Sequence, residues 1–344
     1  MRTIEWKSGV VVTIDQTKLP SEEEYIKIRT CSEMADAIKT MKIRGAPLLG
    51  VAAAYGLALT AYHSKARTKQ DSLKEIESCA ELLRKTRPTA VNLFWAMERV
   101  LKKAKESSGG VSDVVRAVVQ EAQRMADEDV EMNHKIGENG AKLIQDGDVI
   151  LTHCNAGCLA TVDYGTALAV VRVAVEQGKR IKVFATETRP LLQGARLTAF
   201  ELKRDSIPVT LITDNMVGYV MSKRLASKVV VGADRVVKDA VINKIGTFMV
   251  AVLAHEHGIP FYVAAPKSTF DLTRLSKDVV IEERSPEEVI FCGGQRIAPE
   301  GVNVLNPAFD VTPLKYVSGI ICETGVLSPA EVRMLATSLS AENS

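Results

Sequence analysis

The chain has 344 residues, 46% hydrophobic and 25% charged, which is ordinary for a soluble globular protein and enough for two domains with sizeable cores. Its 44 basic and 42 acidic residues leave a formal charge of +2, so there is no electrostatic case for nucleic acid or a membrane surface as the main partner. The six cysteines (31, 79, 154, 158, 292 and 322) are too scattered to read as a disulfide framework and favour a reducing cytoplasm, and the N-terminal MRTIEWKSGVVV has no apolar signal core.

The first 20 or so residues read as a β-hairpin turning at Lys7-Ser8-Gly9. From Ser21 to Lys105 the pattern is mainly helical, broken at Arg44-Gly45-Ala46-Pro47 and at Arg87-Pro88-Thr89. The uncharged run from Ala46 to Tyr62 is shorter than the roughly 20 residues a membrane span needs and predicts a buried helix. Ser107-Ser108-Gly109-Gly110 is the clearest linker, and a long charged helix follows from about Asp113 to Gln145, closing at Asp146-Gly147-Asp148. Strands then alternate with helices: VILTHC, IKVFAT, VTLIT, VVVGAD and PFYVAA are separated by stretches of helical periodicity. This predicts an α/β protein, with a mainly helical N-terminal domain carrying a small β-hairpin (residues 1–124) and a Rossmann-like parallel-sheet C-terminal domain (residues 125–344). Neither GxGxxG nor GxxxxGK[ST] occurs, so neither a dinucleotide nor a P-loop nucleotide site is indicated.

The most informative stretch is Val149 to Val171, read as a buried strand, a short polar turn carrying Cys154 and Asn155, and an apolar helix. In parallel α/β sheets, ligands sit where strand C-termini meet helix N-termini, and a thiol there feels a helix-dipole field that favours the thiolate. Asp234 ends a second strand, KVVVGADR, in the same way; a half-buried Cys and a helix-capping Asp would look alike. Arg44 with the Gly45 and Ala46 amides, ahead of Pro47, is either an anion cradle or a plain helix start with a surface Arg. Arg87, Gln193 beside a mid-helix Gly194, and Asn243-Lys244 ahead of an apolar helix are similarly two-sided. His255 and His257 precede Gly258, where the helix dipole and a glycine C-terminus explain them without a metal. His153 should face away from Cys154 on its strand, which argues against a Cys–His pair.

Taken in order and spacing, IRGAPLLGVAAAYG, RPTAVNLFWAM, THCNAGCLAT, ETRPLLQGARLTAFEL, Asp214-Asn215-Met216, VGADR, NKIGT and GIPFYVAAPKSTFD resemble the S-methyl-5-thioribose-1-phosphate isomerases. The resemblance runs from Ile43 to Leu327, and the same superfamily holds the regulatory subunits of initiation factor 2B and the ribose-1,5-bisphosphate isomerases. It implies Cys154 and Asp234 as the catalytic thiol and carboxylate, and phosphate and sugar binding by Arg44, Gly45, Ala46, Arg87, Gln193, Asn243 and Lys244. It further implies a sugar-phosphate substrate, no metal or redox cofactor, a cytoplasmic location and a homodimer. Two departures stand out: Cys158 replaces an expected small or hydroxyl residue, and the turn from Asp234 to Asn243 is about one residue short. A non-catalytic initiation-factor subunit should lack the Cys–Asp pair, and a bisphosphate isomerase would need a second cationic cluster.

Overall fold

In a computed structural model, residues 1–87 and 90–342 are described. They form two compact units: Met1–Asn133 with Gly157–Gly165, and His134–Ala156 with Thr166–Ser344.

Unit one starts with β1 (Ile4–Lys7), β2 (Val10–Ile14) and β3 (Tyr25–Ile28). The expected hairpin is there, turning through Ser8 and Gly9 at φ +47° and +84°, but β3 joins β2 to make a three-stranded antiparallel sheet. At four residues, its YIKI is too short to stand out from the helical pattern around it. Helices α1 (Cys31–Lys39), α2 (Ala46–His63), α3 (Lys69–Arg84), α4 (Val91–Glu106) and α5 (Val111–Ala141) follow. A capping box between Thr30 and Glu33 starts α1. Helix α2 is the apolar run, buried almost throughout from Leu48 to Ala61. Its small residues let neighbours come close: a Cβ on Gly50 would lie 3.0 Å from the Asn92 carbonyl of α4.

Ser107–Gly110 joins α4 to α5 within this unit rather than separating two bodies. Cys31 and Cys79 are bonded as a disulfide between α1 and α3, so one pair departs from the all-thiol expectation. That pairing is set by how two helices pack, which the spacing of 48 residues does not reveal.

Unit two is built on a seven-stranded sheet that uses β4 (Val149–Thr152), β5 (Lys182–Thr186), β6 (Val209–Ile212), β7 (Lys228–Val231), β10 (Phe261–Ala264), β14 (Gly319–Cys322) and β15 (Gly325–Leu327). The order is β15-β14-β10-β7-β4-β5-β6, parallel except for the β14–β15 edge. Largely buried on both faces, the inner strands are short apolar runs rather than alternating patterns. Helices α6 (Ala167–Glu176), α7 (Ala199–Arg204), α8 (Val217–Ser222), α9 (Thr247–Glu256), α10 (Glu287–Ile290) and α11 (Pro329–Glu342) complete it. A second sheet, order β13-β9-β8, combines β8 (Arg235–Val236), β9 (Ala240–Lys244) and β13 (Phe309–Pro313); β11 (Phe291–Cys292) and β12 (Gln295–Arg296) pair separately. All five expected strands are present, and the antiparallel β8–β9–β13 layer is an addition.

Candidate active site

Strand β4 lies inside the large sheet, beside the central β7. From β4 the chain runs outward through β5 and β6, then returns to β7 on the other side of β4 and continues to β10 and β14. Connections therefore leave β4 and β7 in opposite directions, and such a switch point opens a crevice at the strand C-termini. Cys154 follows β4, Asp234 follows β7, and the two strands pair in parallel. Their ends approach closely: a Cβ on Gly232 would lie 2.7 Å from the Ala156 Cβ.

Cys154 is half-buried with φ +65°, a left-handed backbone unusual for a residue with a side chain. Threonines hold both of its peptide groups. Its N–H donates to Thr188 Oγ1 at 2.9 Å, and its carbonyl accepts from Thr198 Oγ1 at 2.7 Å. Asn155 Nδ2 bonds Thr198 Oγ1 and Glu201 Oε1, and Glu201 in turn pairs with buried Arg172 at 2.8 Å. The turn after β4 is not short, however. Residues Gly157–Gly165 belong to unit one, and α6 starts only at Ala167. The first turn of α6 meets the Ala156 carbonyl, which accepts from Thr166 N and Leu168 N, so Cys154 lies near that helix start without being in its first turn.

Gln193 precedes a π-helical turn, Gly194–Thr198, a rare form frequent at functional sites. Gly194 is required for close approach, since a Cβ there would lie 1.7 Å from the Thr186 carbonyl oxygen. Gln193 is 7% exposed, and its Oε1 is buried with no hydrogen-bond partner among the described residues. A buried acceptor left unmatched costs about 1–3 kcal/mol, so it is suited to receive a ligand donor.

Asp234 is half-buried and starts the β8–β9 hairpin, its N–H donating to the Ile242 carbonyl. Asn243 and Lys244 end β9 and stand ahead of an apolar helix as expected, α9 beginning at Thr247 after a left-handed Gly246. Asn243 Nδ2 donates to Thr247 Oγ1, and the buried Lys244 ammonium donates to the Ala308 carbonyl at 2.8 Å, 5.0 Å from the Phe309 ring centroid. Asp310 faces the same turn, accepting from Gly246 N and Phe248 N; burial pushes its carboxyl up to about 6 against those bonds.

The remaining expected site residues are in unit one. Arg44 is half-buried, its Nε donating to Gln16 Oε1 at 3.0 Å, and Gln16 Nε2 donates to the Leu159 carbonyl. Gly45 caps α2 with φ +101°, and a Cβ there would lie 2.5 Å from the Ala160 Cα. Ala46 and Pro47 open the helix, so its first amides carry no side-chain cap. Arg87 is half-buried just before α4; Pro88 and Thr89 lie outside the described residues.

His153 is buried and turned from the thiol, with Nδ1 on Thr186 Oγ1 and Nε2 on the Ile245 carbonyl. His255 packs edge-on against Tyr316 in the last turn of α9. Thr186, Thr188, Thr198 and Asp310 escaped the sequence reading. Isolated threonines carry no motif, and only the left-handed Cys154 backbone shows why two hydroxyls are needed beside it.

A thiol and a carboxylate follow paired strands at the switch point of a Rossmann-like sheet, with Asn243 and Lys244 buried at the end of β9 and Gln193 buried ahead of the π-helical turn, the arrangement of a candidate enzyme site for a small polar ligand. Residues 42–329 match the initiation factor 2 subunit family. Methylthioribose-1-phosphate isomerase of Thermosipho africanus is 55% identical over 329 residues, 95% of each chain. The solved 5-methylthioribose 1-phosphate isomerase of Pyrococcus horikoshii OT3 superposes with a TM-score of 0.92 at 50% identity, over 99% of this chain and 96% of that one. A structure from A. fulgidus described as translation initiation factor eIF-2B, subunit delta, gives 0.89 at 55% identity, over 98% and 99%. The chain belongs to the initiation factor 2 subunit family and, within it, to the methylthioribose-1-phosphate isomerases.

Proposed function

We propose that the chain converts 5-methylthioribose 1-phosphate into 5-methylthioribulose 1-phosphate, an aldose–ketose isomerisation in methionine salvage. Cys154 and Asp234 are the catalytic residues; Arg44, Gly45, Ala46 and Arg87 of unit one, and Gln193, Asn243 and Lys244 of unit two, bind substrate. The observation carrying this reading is that Cys154 and Asp234 follow paired strands at the switch point.

The chemistry demands such a pair. A free sugar opens to an aldehyde, but here the anomeric oxygen carries phosphate, and a free aldehyde would cost the phosphate. The ring must open with the phosphate in place and hydrogen must move from C2 to C1. Asp234 as an acid delivers a proton to the ring oxygen and later takes the C2 hydroxyl proton. Cys154 serves in one of two routes. As a base it removes the C2 proton, and the resulting phosphoenolate is reprotonated at C1. As a thiolate it stabilises positive charge at C1 while hydride shifts from C2. Arg44, the Gly45 and Ala46 amides and Lys244 hold the phosphate, and Gln193 Oε1 accepts from a sugar hydroxyl.

We also place the protein in the cytoplasm as a homodimer. Leu211, Met216 and Tyr219, running from β6 into α8, and Phe248 and Met249 opening α9, are exposed apolar side chains of the kind self-association covers. Among the described residues no helix is long and apolar enough to cross a membrane.

The A. fulgidus structure described as an initiation-factor subunit favours a second, non-catalytic reading. One assay separates them, a kcat/KM comparison across 5-methylthioribose 1-phosphate, 5-deoxyribose 1-phosphate and ribose 1,5-bisphosphate. The first two should both react, an apolar pocket discriminating between them by only about 1–3 kcal/mol. The bisphosphate should be poor, its second phosphate desolvated without a partner. No turnover of any sugar would favour the regulatory subunit, and preference for the bisphosphate the neighbouring isomerase. Cys154→Ser and Asp234→Asn should each lower kcat by at least about 100-fold.

A further inference from the structure

The β4, β5 and β9 ends are joined by a run of hydrogen bonds whose direction is fixed. The Ile245 carbonyl can only accept, so His153 Nε2, 2.8 Å away, carries a proton. Burial holds this imidazole below its usual range, outweighing the Ile245 carbonyl and the Asp214 charge that pull the other way, so His153 is neutral and Nδ1 is a bare acceptor. Thr186 Oγ1, 2.7 Å from Nδ1, must therefore donate to it. With that proton committed, Thr188 is the donor between the two hydroxyls, its one proton shared between Thr186 Oγ1 at 3.1 Å and the Thr186 carbonyl at 3.3 Å. Thr188 Oγ1 itself accepts the Cys154 N–H at 2.9 Å. All four donors point the same way, from the Cys154 peptide through Thr188, Thr186 and His153 to the Ile245 carbonyl.

Two features show that this chain holds the backbone out of its relaxed state. Cys154 and Thr188 both have φ +65°, and a β-branched residue there is a genuine outlier. Strained residues of this kind persist where the surroundings over-determine them, and they cluster at working sites. At the far end, Gly246 leaves no gap, since a Cβ on it would lie 2.8 Å from His153 Nε2. The chain thus ends on the turn that follows Lys244 and precedes α9.

We propose that Thr188, Thr186 and His153 are positioning residues of the isomerase: their one-way hydrogen-bond chain fixes the Cys154 peptide in its left-handed form and registers it against the Lys244–Gly246 turn. The proposal rests on the reading of Cys154 as a catalytic residue and Lys244 as a substrate binder. Displacing a reacting group by a fraction of an ångström lowers turnover without abolishing binding.

The experiment measures kcat and KM with 5-methylthioribose 1-phosphate, thermal midpoint, and the rate of Cys154 alkylation by iodoacetamide. Thr188→Val should lower kcat about 10- to 100-fold with KM changed by less than about threefold, and should alter the alkylation rate. Thr188→Ser, which keeps the hydroxyl, should restore kcat to within about threefold of native. Because the residues form one chain, adding Thr186→Val to Thr188→Val should cost little more. If Thr188→Val does not fold, Thr186→Val breaks the chain one link further on and should itself lower kcat by about 3- to 10-fold. Cys154→Ser is run alongside. Native kcat in the folded threonine variants, with Cys154→Ser inactive, overturns the positioning role alone. Native kcat in Cys154→Ser overturns the underlying reading.

Discussion

Helices α2 and α9 both begin on a left-handed glycine, Gly45 at φ +101° and Gly246 at φ +102°. Both glycines are pressed against other groups, Gly45 on the Ala160 backbone and Gly246 on the His153 ring. By local sequence the two starts are alike, each a glycine ahead of an apolar helix. Their chemistry differs because of distant residues. At α9 the first amides are already taken, Gly246 N and Phe248 N donating to the Asp310 carboxylate 64 and 62 residues on. At α2, among the described residues, no side chain caps the first turn, and Arg44 stands just before it. A helix N-terminus attracts an anion, but whether a ligand or the protein supplies it is decided by tertiary structure. The uncapped α2 start therefore supports the phosphate role proposed for Arg44, Gly45 and Ala46.

Substituting the glycines should break the comparison most severely. Gly45→Ala adds a Cβ 2.5 Å from the Ala160 Cα, backbone that cannot swing away, at a φ that disfavours any side chain. Its cost should be about 2–4 kcal/mol by denaturant unfolding. Gly246→Ala meets an imidazole at 2.8 Å and should cost less, about 1–3 kcal/mol, while lowering kcat through the displaced turn. Equal stabilities for native and Gly45→Ala would show that the left-handed start is not needed.

Arg44→Ala is the next test. Loss of one charge-assisted contact to phosphate should raise KM by about 10- to 100-fold with kcat less affected. Asp310→Asn keeps an acceptor for the α9 amides and should leave KM within about threefold of native. A KM loss for Asp310→Asn as large as that for Arg44→Ala would mean that both helix starts meet substrate.

The fold was legible where physics is local. Strands β4, β5, β6, β7 and β10 stand out as short apolar runs, α2 as an apolar stretch with a proline in its first turn, and the Ser8-Gly9 turn as a hairpin signal. Strands β3, β8, β9 and β13 were not, being short or pairing with segments far along the chain: β9 pairs with β13, its Lys244 opposite Phe309. The site divides the same way. Cys154 and Asp234 were visible at strand ends, and Gly194 as a costly residue mid-helix. Thr188, Thr198 and His153 matter through contacts 34 to 92 residues apart, which no spacing rule reaches. The Cys31–Cys79 bond was hidden for the same reason.

Asp310 also gives the α9 start a pH signature that α2 lacks. Its carboxyl is raised from 3.8 to about 6, so the native state holds this proton more tightly than the unfolded chain. The stability it contributes is complete below about pH 4 and is lost as pH rises through about 6. Asp310→Asn removes that decline, so the variant should gain on the native protein by about 1–3 kcal/mol between pH 4 and 7. Asp129 in α5 acts in the same direction, its fully buried carboxyl pushed up to about 7 while accepting from Val162 N and Asn133 Nδ2. Thermal midpoints at pH 4, 5.5 and 7 for both asparagine variants separate the two; parallel curves for native and Asp310→Asn would remove Asp310 as the source.

The smallest effect is expected at Cys158, four residues past the thiol proposed as catalytic. Cys154 sits half-buried in a left-handed turn held by two threonine hydroxyls. Cys158 is 2% exposed and opens the short turn Cys158–Ala160, whose last residue is the one Gly45 rests on. Its carbonyl accepts from Thr3 Oγ1, a backbone contact that alanine keeps. Cys158→Ala therefore removes one sulfur from a packed interior, at a cost of about 0.5–1.5 kcal/mol. Turnover and the KM for the phosphorylated sugar should stay native, because the α2 start still rests on an unchanged backbone. A rise in KM alone would mean that the sulfur sets how Gly45 and Arg44 are presented, and a fall in kcat as deep as that of Cys154→Ser would move the chemistry away from the β4 turn.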